Sequence, residues 1–301
     1  MADWSEGYWV SSDGLRLHYR EYAGDASRPP IICLPGLTRN ARDFEGVADR
    51  LAGQWRVICV ELRGRGGSEP AKDPMTYMPI NYLQDVEGLI AELELKKFVL
   101  FGTSLGGLIT MLLAASGPAR IAGALLNDIG PDIETRGLER IRSYVGRSQN
   151  WPTWLHAARF LQEGQSDRYP DWGLDDWLVY AKRLCRLNSS GRIVFDYDMR
   201  IAEPFKLPQG EAGFDLWPAF RALKGMPSLI VHGELSDVLS AESVAKMTAE
   251  LSDMTSVTVP RVGHAPTLDE PEAQKAIDAL LKRVTAAKAP AKSGSTRKKS
   301  A

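Results

Sequence analysis

The chain has 301 residues, of which 44% are hydrophobic and 25% are charged, and its formal net charge is −1. These values are ordinary for a globular protein with a sizeable core, and there is no global excess of basic residues to recruit nucleic acid. No apolar run approaches the roughly 20 residues that a membrane-spanning helix needs. The first residues include Asp3 and Glu6 and lack an apolar core, so we expect neither a signal peptide nor a membrane span.

The cysteines point to a reduced protein without a metal site. There are three, Cys33, Cys59 and Cys185, an odd number. The first two lie in apolar runs, where a free cysteine packs as a small hydrophobic side chain. No CxxC motif or Cys/His cluster is present, so we expect no metal and a cytoplasmic location.

Near the start of the chain, the segments Tyr8–Val10 and Leu15–Tyr19 flank the turn sequence Asp13–Gly14 and predict an antiparallel hairpin. Short apolar runs then alternate with segments of helical spacing, which predicts a mostly parallel sheet flanked by helices on both faces. The predicted buried strands are Ile31–Leu34, Val57–Val60, Phe98–Phe101, Ala124–Leu126, Leu229–His232 and Val257–Val259. The expected fold class is therefore α/β.

Residues 131–220 have a different pattern. Apolar residues recur at helical spacing, no strand run is evident, and five of the eight tryptophans fall here. We expect a helical cap inserted into a core formed by residues 1–130 and 221–285, with most of the tryptophans packing within the cap. Trp154 is the candidate for a substrate contact. Residues 286–301 are basic and lack an apolar period, which predicts a disordered tail.

The most specific motif is the sequence Gly102-Thr103-Ser104-Leu105-Gly106, which follows one predicted strand and precedes an apolar helix. A serine in this strand–turn–helix context is typical of a nucleophile elbow. The glycines leave room for a strained turn, and the helix N-terminus favours developing negative charge. A plain connecting turn is the alternative; a phosphate-binding loop is excluded because no lysine follows the glycines.

On this motif the chain resembles the α/β-hydrolase superfamily, and in particular its compact bacterial esterase and lactonase branch, over roughly residues 8–284. The resemblance implies an eight-stranded sheet, a helical cap, no cofactor and the chain order nucleophile, acid, histidine. Haloalkane and epoxide hydrolysis is disfavoured, because those relatives have aspartate where this chain has Ser104.

The resemblance also implies that the base is His264, in the sequence Gly263-His264-Ala265-Pro266 beyond the last strand. Three other histidines, at positions 18, 156 and 232, lie in other contexts. For the acid that orients the base, we expect Asp237, although one extra residue relative to the common family spacing leaves Glu234 as an alternative register. Asp128, after an earlier strand, is the competing candidate because some relatives place their acid there.

The oxyanion hole is expected to use the backbone N–H groups of Leu105 and, by resemblance, of Leu37. Pro35 stands where many relatives have histidine. The segment Glu61–Ser68 resembles a family loop near the pocket, and its Arg63 and Arg65 are interpreted as structural rather than as anion-binding.

The sequence thus predicts a serine hydrolase of a small carboxylic ester or lactone, acting through an acyl-enzyme as a monomer or homodimer. Alternatives within the fold are C–C bond, thioester and perhydrolysis chemistry. An alternative of another class is a hydrolase-like small-molecule receptor with little turnover.

Overall fold

The computed structural model describes residues 2–206 and 215–287. Within them the strands are β1 (Trp4–Val10), β2 (Arg16–Tyr22), β3 (Ile31–Leu34), β4 (Val57–Glu61), β5 (Phe98–Thr103), β6 (Ile121–Asn127), β7 (Asn150–Trp151), β8 (Cys185–Leu187), β9 (Ile193–Phe195), β10 (Ser228–Gly233) and β11 (Met254–Val259). The helices are α1 (Glu45–Leu51), α2 (Pro79–Glu92), α3 (Leu105–Ser116), α4 (Thr135–Tyr144), α5 (Trp154–Gln165), α6 (Leu174–Leu184), α7 (Trp217–Arg221), α8 (Ala241–Glu250) and α9 (Pro271–Ala287).

Eight strands form the central sheet in the order β1-β2-β4-β3-β5-β6-β10-β11. The hairpin of β1 and β2 is antiparallel and pairs antiparallel with β4, whereas the remaining neighbours are parallel. The predicted fold class, the hairpin and the eight strands are therefore confirmed. Because parallel strands end at the same edge of a sheet, the loops after β5, β6 and β11 come close together there.

Helices cover both faces of this sheet, and each face has its own core. In β5, Phe98 and Leu100 belong to one buried cluster, and Val99 and Phe101 belong to the other. All residues of β3 and β4 are buried. Burial on both faces explains why these strands have continuous apolar sequences rather than alternating apolar and polar residues.

The cap lies between β6 and β10. This segment, called the cap here, contains α4, α5 and α6 and also a small antiparallel sheet in the order β7-β9-β8. This sheet was not predicted, because strands of two or three residues are too short to show a period of two. Trp177 is fully buried and contacts Trp172, Tyr169 and Tyr180, so these cap aromatics pack largely with one another.

Helix α9 continues to Ala287, two residues into the predicted tail. The rest of that tail, residues 288–301, lies outside the described residues. In the part of the chain that the structure describes, no helix is long and apolar enough to cross a membrane.

Candidate active site

Ser104 lies at the sharp turn between β5 and α3. Its backbone has φ 50° and ψ −115°, a conformation that costs energy for a residue with a side chain. A Cβ atom on Gly106 would overlap the Leu34 carbonyl, and one on Gly102 would overlap the backbone of Gly106. The two glycines are therefore required by close backbone approach, and the turn leaves the Ser104 hydroxyl at the N-terminus of α3.

His264 reaches Ser104 from the loop after β11. Its Nε2 lies 3.0 Å from Ser104 Oγ, and its Nδ1 lies 2.8 Å from Asp128 Oδ2. A carboxylate only accepts hydrogen bonds, so Nδ1–H donates to Asp128 and Nε2 is left free to accept from the Ser104 hydroxyl. Three side chains separated by up to 160 positions in sequence thus form one hydrogen-bonded chain.

Asp128 immediately follows β6 and is completely buried, with a positive φ of 55°. In addition to His264, its carboxylate accepts hydrogen bonds from Gly233 N at 2.9 Å and from Ser236 Oγ at 2.6 Å. Gly233 is the last residue of β10, and Ser236 lies in the loop that follows it. Because β10 pairs with β6 in the central sheet, both donors lie next to Asp128. These bonds fix the carboxylate in the orientation that receives the imidazole N–H.

The prediction that Asp237 orients His264 is wrong in this structure. The Asp237 carboxylate instead binds Arg140 of the cap helix α4, at 2.5 and 2.7 Å. Burial raises the pKa of Asp237, but the hydrogen bonds and charge of Arg140 outweigh burial and hold this pKa below its usual value. The physical reason is the extra residue after Gly233, which places Ser236 opposite Asp128 and directs Asp237 towards the cap.

Glu234, the alternative candidate for the acid, is directed away from His264 towards the backbone of Arg261. Its carboxylate accepts the backbone N–H of Arg261 at 2.7 Å. The other three histidines have separate partners. His18 is bonded to Glu61 at 2.8 Å, His156 to Thr153 at 2.9 Å, and His232 to the Leu239 carbonyl at 3.1 Å. Of the four histidines, His264 is thus the one hydrogen-bonded to Ser104.

Of the two predicted oxyanion donors, one adjoins Ser104 in sequence and the other lines the same cavity. Leu105 is the first residue of α3, and Leu37 lies in the loop after β3 and lines the same cavity as Ser104. The buried Arg65 holds this loop, because its Nε and Nη2 donate to the Leu37 carbonyl at 2.9 and 2.6 Å. The oxyanion role of the two N–H groups remains a prediction. The hydrogen bonds from Arg65 support it, because they hold the Leu37 loop in a fixed position.

The arginines of the Glu61–Ser68 segment have internal partners. Arg63 binds Asp85 at 2.6 and 2.7 Å and also Asp13, and Arg65 donates to the Leu37 and Arg63 carbonyls. Each guanidinium is thus used in holding loops. This agrees with the structural interpretation and not with an anion site at these two positions.

A cavity of about 480 Å³ lies between the core and the cap, with Ser104 and His264 in its wall. Cap residues that line it include Tyr144, Phe160 and Tyr180. Trp154, the candidate for a substrate contact, is absent from the cavity wall, and its side chain packs against a buried hydrophobic cluster instead. Helical spacing showed that α5 has an apolar face but not which of its residues point towards the sheet.

The cavity also contains cap residues that sequence reasoning missed. Arg140, Arg147 and Arg168 contribute to its wall. Ser236, which binds Asp128, was missed as well. No local motif marks these residues, because their roles arise only where the cap meets the core.

The fold and the Ser104–His264–Asp128 arrangement define the α/β-hydrolase class. The sequence profile of the alpha/beta hydrolase family matches residues 31–276, and the chain belongs to this family.

Relatives with assigned activities cover most of the chain. A 3-hydroxybutyrate-oligomer hydrolase from Cupriavidus necator is 38% identical over 87% of this chain and 92% of its own length. A 2-(acetamidomethylene)succinate hydrolase from Mesorhizobium japonicum is 30% identical over 83% of this chain and 85% of its own. Among solved structures, an alpha/beta hydrolase from Novosphingobium aromaticivorans is 61% identical with a TM-score of 0.91, covering 94% of this chain and 99% of its own. The chain is thus similar to hydrolases over its full catalytic core.

Proposed function

We propose that this protein is a serine hydrolase that cleaves a carboxylic ester through an acyl-enzyme, with Ser104 as nucleophile, His264 as base and Asp128 as the acid that orients the base. The observation that carries the proposal is the hydrogen-bonded chain from Ser104 Oγ through His264 to Asp128, at 3.0 and 2.8 Å. Such a chain activates an alcohol whose own pKa is far above neutrality.

In the first half of the reaction, Ser104 Oγ attacks the ester carbonyl carbon while its proton passes to His264 Nε2. The buried Asp128 carboxylate stabilises the imidazolium that forms. The tetrahedral oxyanion accepts hydrogen bonds from the N–H groups of Leu37 and Leu105. When this intermediate collapses, the ester C–O bond breaks and Nε2 returns the proton to the leaving alcohol.

In the second half, water attacks the acyl-enzyme while one of its protons passes to His264 Nε2. The bond between Ser104 Oγ and the acyl carbon then breaks, Nε2 returns the proton to Oγ, and the carboxylic acid product leaves. The name of the Cupriavidus necator relative, a hydrolase of 3-hydroxybutyrate oligomers, supports an ester as the substrate. A lactone requires the same steps, differing only in that the alcohol stays tethered to the acyl group.

Covalent labelling tests the nucleophile. A fluorophosphonate probe should add one label to the folded protein at Ser104, and Ser104→Ala should abolish that label. Ser143→Ala is a matched control, because Ser143 lines the same cavity but its hydroxyl donates to the Arg140 carbonyl. Absence of labelling in the folded wild-type protein, or labelling that survives in Ser104→Ala, would refute the proposal.

Turnover tests the distinction between an enzyme and a receptor. The wild-type protein should hydrolyse short p-nitrophenyl esters or lactones over many cycles, and Ser104→Ala should lose this activity. A single stoichiometric burst without further turnover would favour the receptor. A preference for thioesters or for C–C bonds in the same panel would replace the ester assignment while retaining the nucleophile.

A further inference from the structure

The cavity wall carries an excess of positive charge. Among the described residues, this wall contains one carboxylate, Asp43, and five arginines, Arg39, Arg140, Arg147, Arg168 and Arg183. Charges inside a partly enclosed cavity are screened less than charges on the surface. The wall therefore favours an anionic ligand unless each guanidinium already has its own carboxylate.

Three of the five arginines are neutralised by close partners. Arg39 binds Asp43 through two hydrogen bonds of 2.6 Å. Arg140 binds the Asp237 carboxylate through two hydrogen bonds. Arg183 binds Asp269 at 2.8 Å. Paired in this way, these guanidiniums shape the cavity more than they attract a ligand.

Arg168 is different. Its Nη2 donates to the Gly164 carbonyl at 2.7 Å, and its ion pair with Asp167 is long, at 3.6 Å, and involves a side chain that is 76% exposed to solvent. Its Nε is buried and has no hydrogen-bond partner among the described residues. A buried cation with an unused donor is unfavourable, and a carboxylate that binds the guanidinium relieves this cost.

Arg168 also adjoins the loop that carries His264. Its carbonyl accepts the backbone N–H of Gly263 at 2.7 Å, and its Cβ lies against Gly263, the residue before His264. Burial raises the pKa of the cavity residue Tyr169 well above its usual value, while the charges of Arg39 and Arg168 act in the opposite direction. Both guanidiniums therefore act electrostatically on this part of the wall.

Arg147 is the other arginine of the wall without a close carboxylate, and the described part of the chain provides no ion pair for it. It is exposed and lines the same cavity. An exposed cation of this kind attracts an anion towards the cavity but contributes little binding free energy in water. Arg168, being buried, is the residue expected to decide between charged and neutral substrates.

We propose that the substrate is an ester that also carries a carboxylate, such as an acyl ester of a hydroxy acid, and that Arg168 binds this carboxylate in the cavity. This inference rests on the proposed function, since it names the substrate class of the same site. The carboxylate anchors the substrate on the cap side while its ester carbonyl lies at Ser104.

The test compares two probes of nearly equal shape, 3-acetoxybutanoate and 3-acetoxybutanamide, by acetate release. The wild-type protein should show a kcat/KM at least tenfold higher for the carboxylate. Arg168→Gln should lower that value at least tenfold, mainly through KM, and should leave the neutral amide within twofold. Arg168→Lys, which keeps the charge, should retain part of the preference. Arg159→Gln removes an exposed cation on α5 away from the cavity wall and should behave as wild type.

Equal kcat/KM values for the two probes would overturn the inference. So would an equal loss for both probes in Arg168→Gln, because this pattern indicates that Arg168 only supports the His264 loop.

Binding to Ser104→Ala, measured by calorimetry, separates the inference from the proposed hydrolysis. The carboxylate probe should bind at least tenfold more tightly than the amide, and adding Arg168→Gln should remove the difference. No preference, including no detectable binding of either probe, overturns the inference. A missing fluorophosphonate label on wild-type Ser104, with the binding preference intact, overturns the proposed function alone.

Discussion

Replacing Asp128 by asparagine should abolish most of the activity while leaving the fold intact. The fully buried Asp128 accepts three hydrogen bonds, from His264, Gly233 and Ser236. Asparagine can still accept from Gly233 through its amide oxygen, and it tolerates the positive φ of 55° at this position better than most residues. The substitution therefore changes the chemistry of the site more than its shape.

The loss follows from the tautomer of His264. An asparagine NH₂ group facing Nδ1 donates to it, which moves the imidazole proton to Nε2. Nε2 then cannot accept the proton of Ser104, and no negative charge remains to stabilise an imidazolium. The corresponding substitution in a serine protease lowers kcat about 10⁴-fold, and we expect a loss on the order of 10³–10⁴ here, or about 4–5 kcal/mol in the activation barrier.

Asp237→Asn is the matched comparison. It removes the ion pair with Arg140, whose side chain is 20% exposed, and leaves the Ser104–His264–Asp128 chain in place. Stopped-flow or steady-state hydrolysis of p-nitrophenyl butyrate should show less than a tenfold change in kcat for this variant. Circular dichroism and thermal unfolding check that both variants are folded. A kcat loss for Asp237→Asn as large as that for Asp128→Asn would refute the assignment of the acid.

Three further predictions concern the support of the site. Gly106→Ala should lower the free energy of unfolding by about 3 kcal/mol or more in urea titrations, because the added Cβ meets the Leu34 carbonyl. Gly164→Ala, whose added Cβ lies in open space, should not lower the free energy of unfolding. Equal effects of the two substitutions would contradict the packing argument. Arg65→Gln should lower kcat about 10- to 100-fold with a smaller change in KM, because the Leu37 loop loses its support. An oxyanion donor contributes about 3–4 kcal/mol to stabilising the transition state. Reduced protein stability with an unchanged kcat would exclude this role of Arg65. Glu61→Gln should reduce the loss of stability in acid. Burial raises the pKa of Glu61, but hydrogen bonds from His18 and from the Gly67 and Ala41 N–H groups outweigh it and hold the pKa below the usual 4.5. The stabilisation that ionised Glu61 gives the folded protein is therefore present above about pH 4.5 and is lost as the pH falls through the lower pKa of the folded state. Identical urea-derived stabilities of variant and wild type between pH 7 and pH 3 would contradict this prediction.

Local sequence was sufficient to predict those features that depend only on residues close together in the chain. The elbow at Ser104 needs a buried strand, small flanking residues and an apolar helix, and all three are adjacent in the chain. The buried strands were predicted within a few residues because double burial requires apolar residues at consecutive positions. His264 was predicted from its motif, and the structure brings it to Ser104.

The assignment of the acid failed for a reason that is not local. Asp128 and Asp237 follow neighbouring strands, β6 and β10, and either position can approach a histidine loop at the same edge of the sheet. The sequence kept both as candidates, but the motif after β10 favoured the wrong one. Which carboxylate faces the imidazole depends on Ser236 and on the cap helix α4, whose Arg140 binds Asp237.

By itself, the sequence determined the class of fold, the strained turn that presents a serine and the loop that carries a histidine. These features follow from patterns of burial and backbone conformation within short segments of chain. Only the tertiary structure decided which acid meets the histidine, which arginines of the cavity have close carboxylate partners and which buried arginine does not. Those outcomes depend on side chains from the cap and the core that are far apart in sequence, and hydrogen bonds and charge pairs between them form only when the two parts pack together.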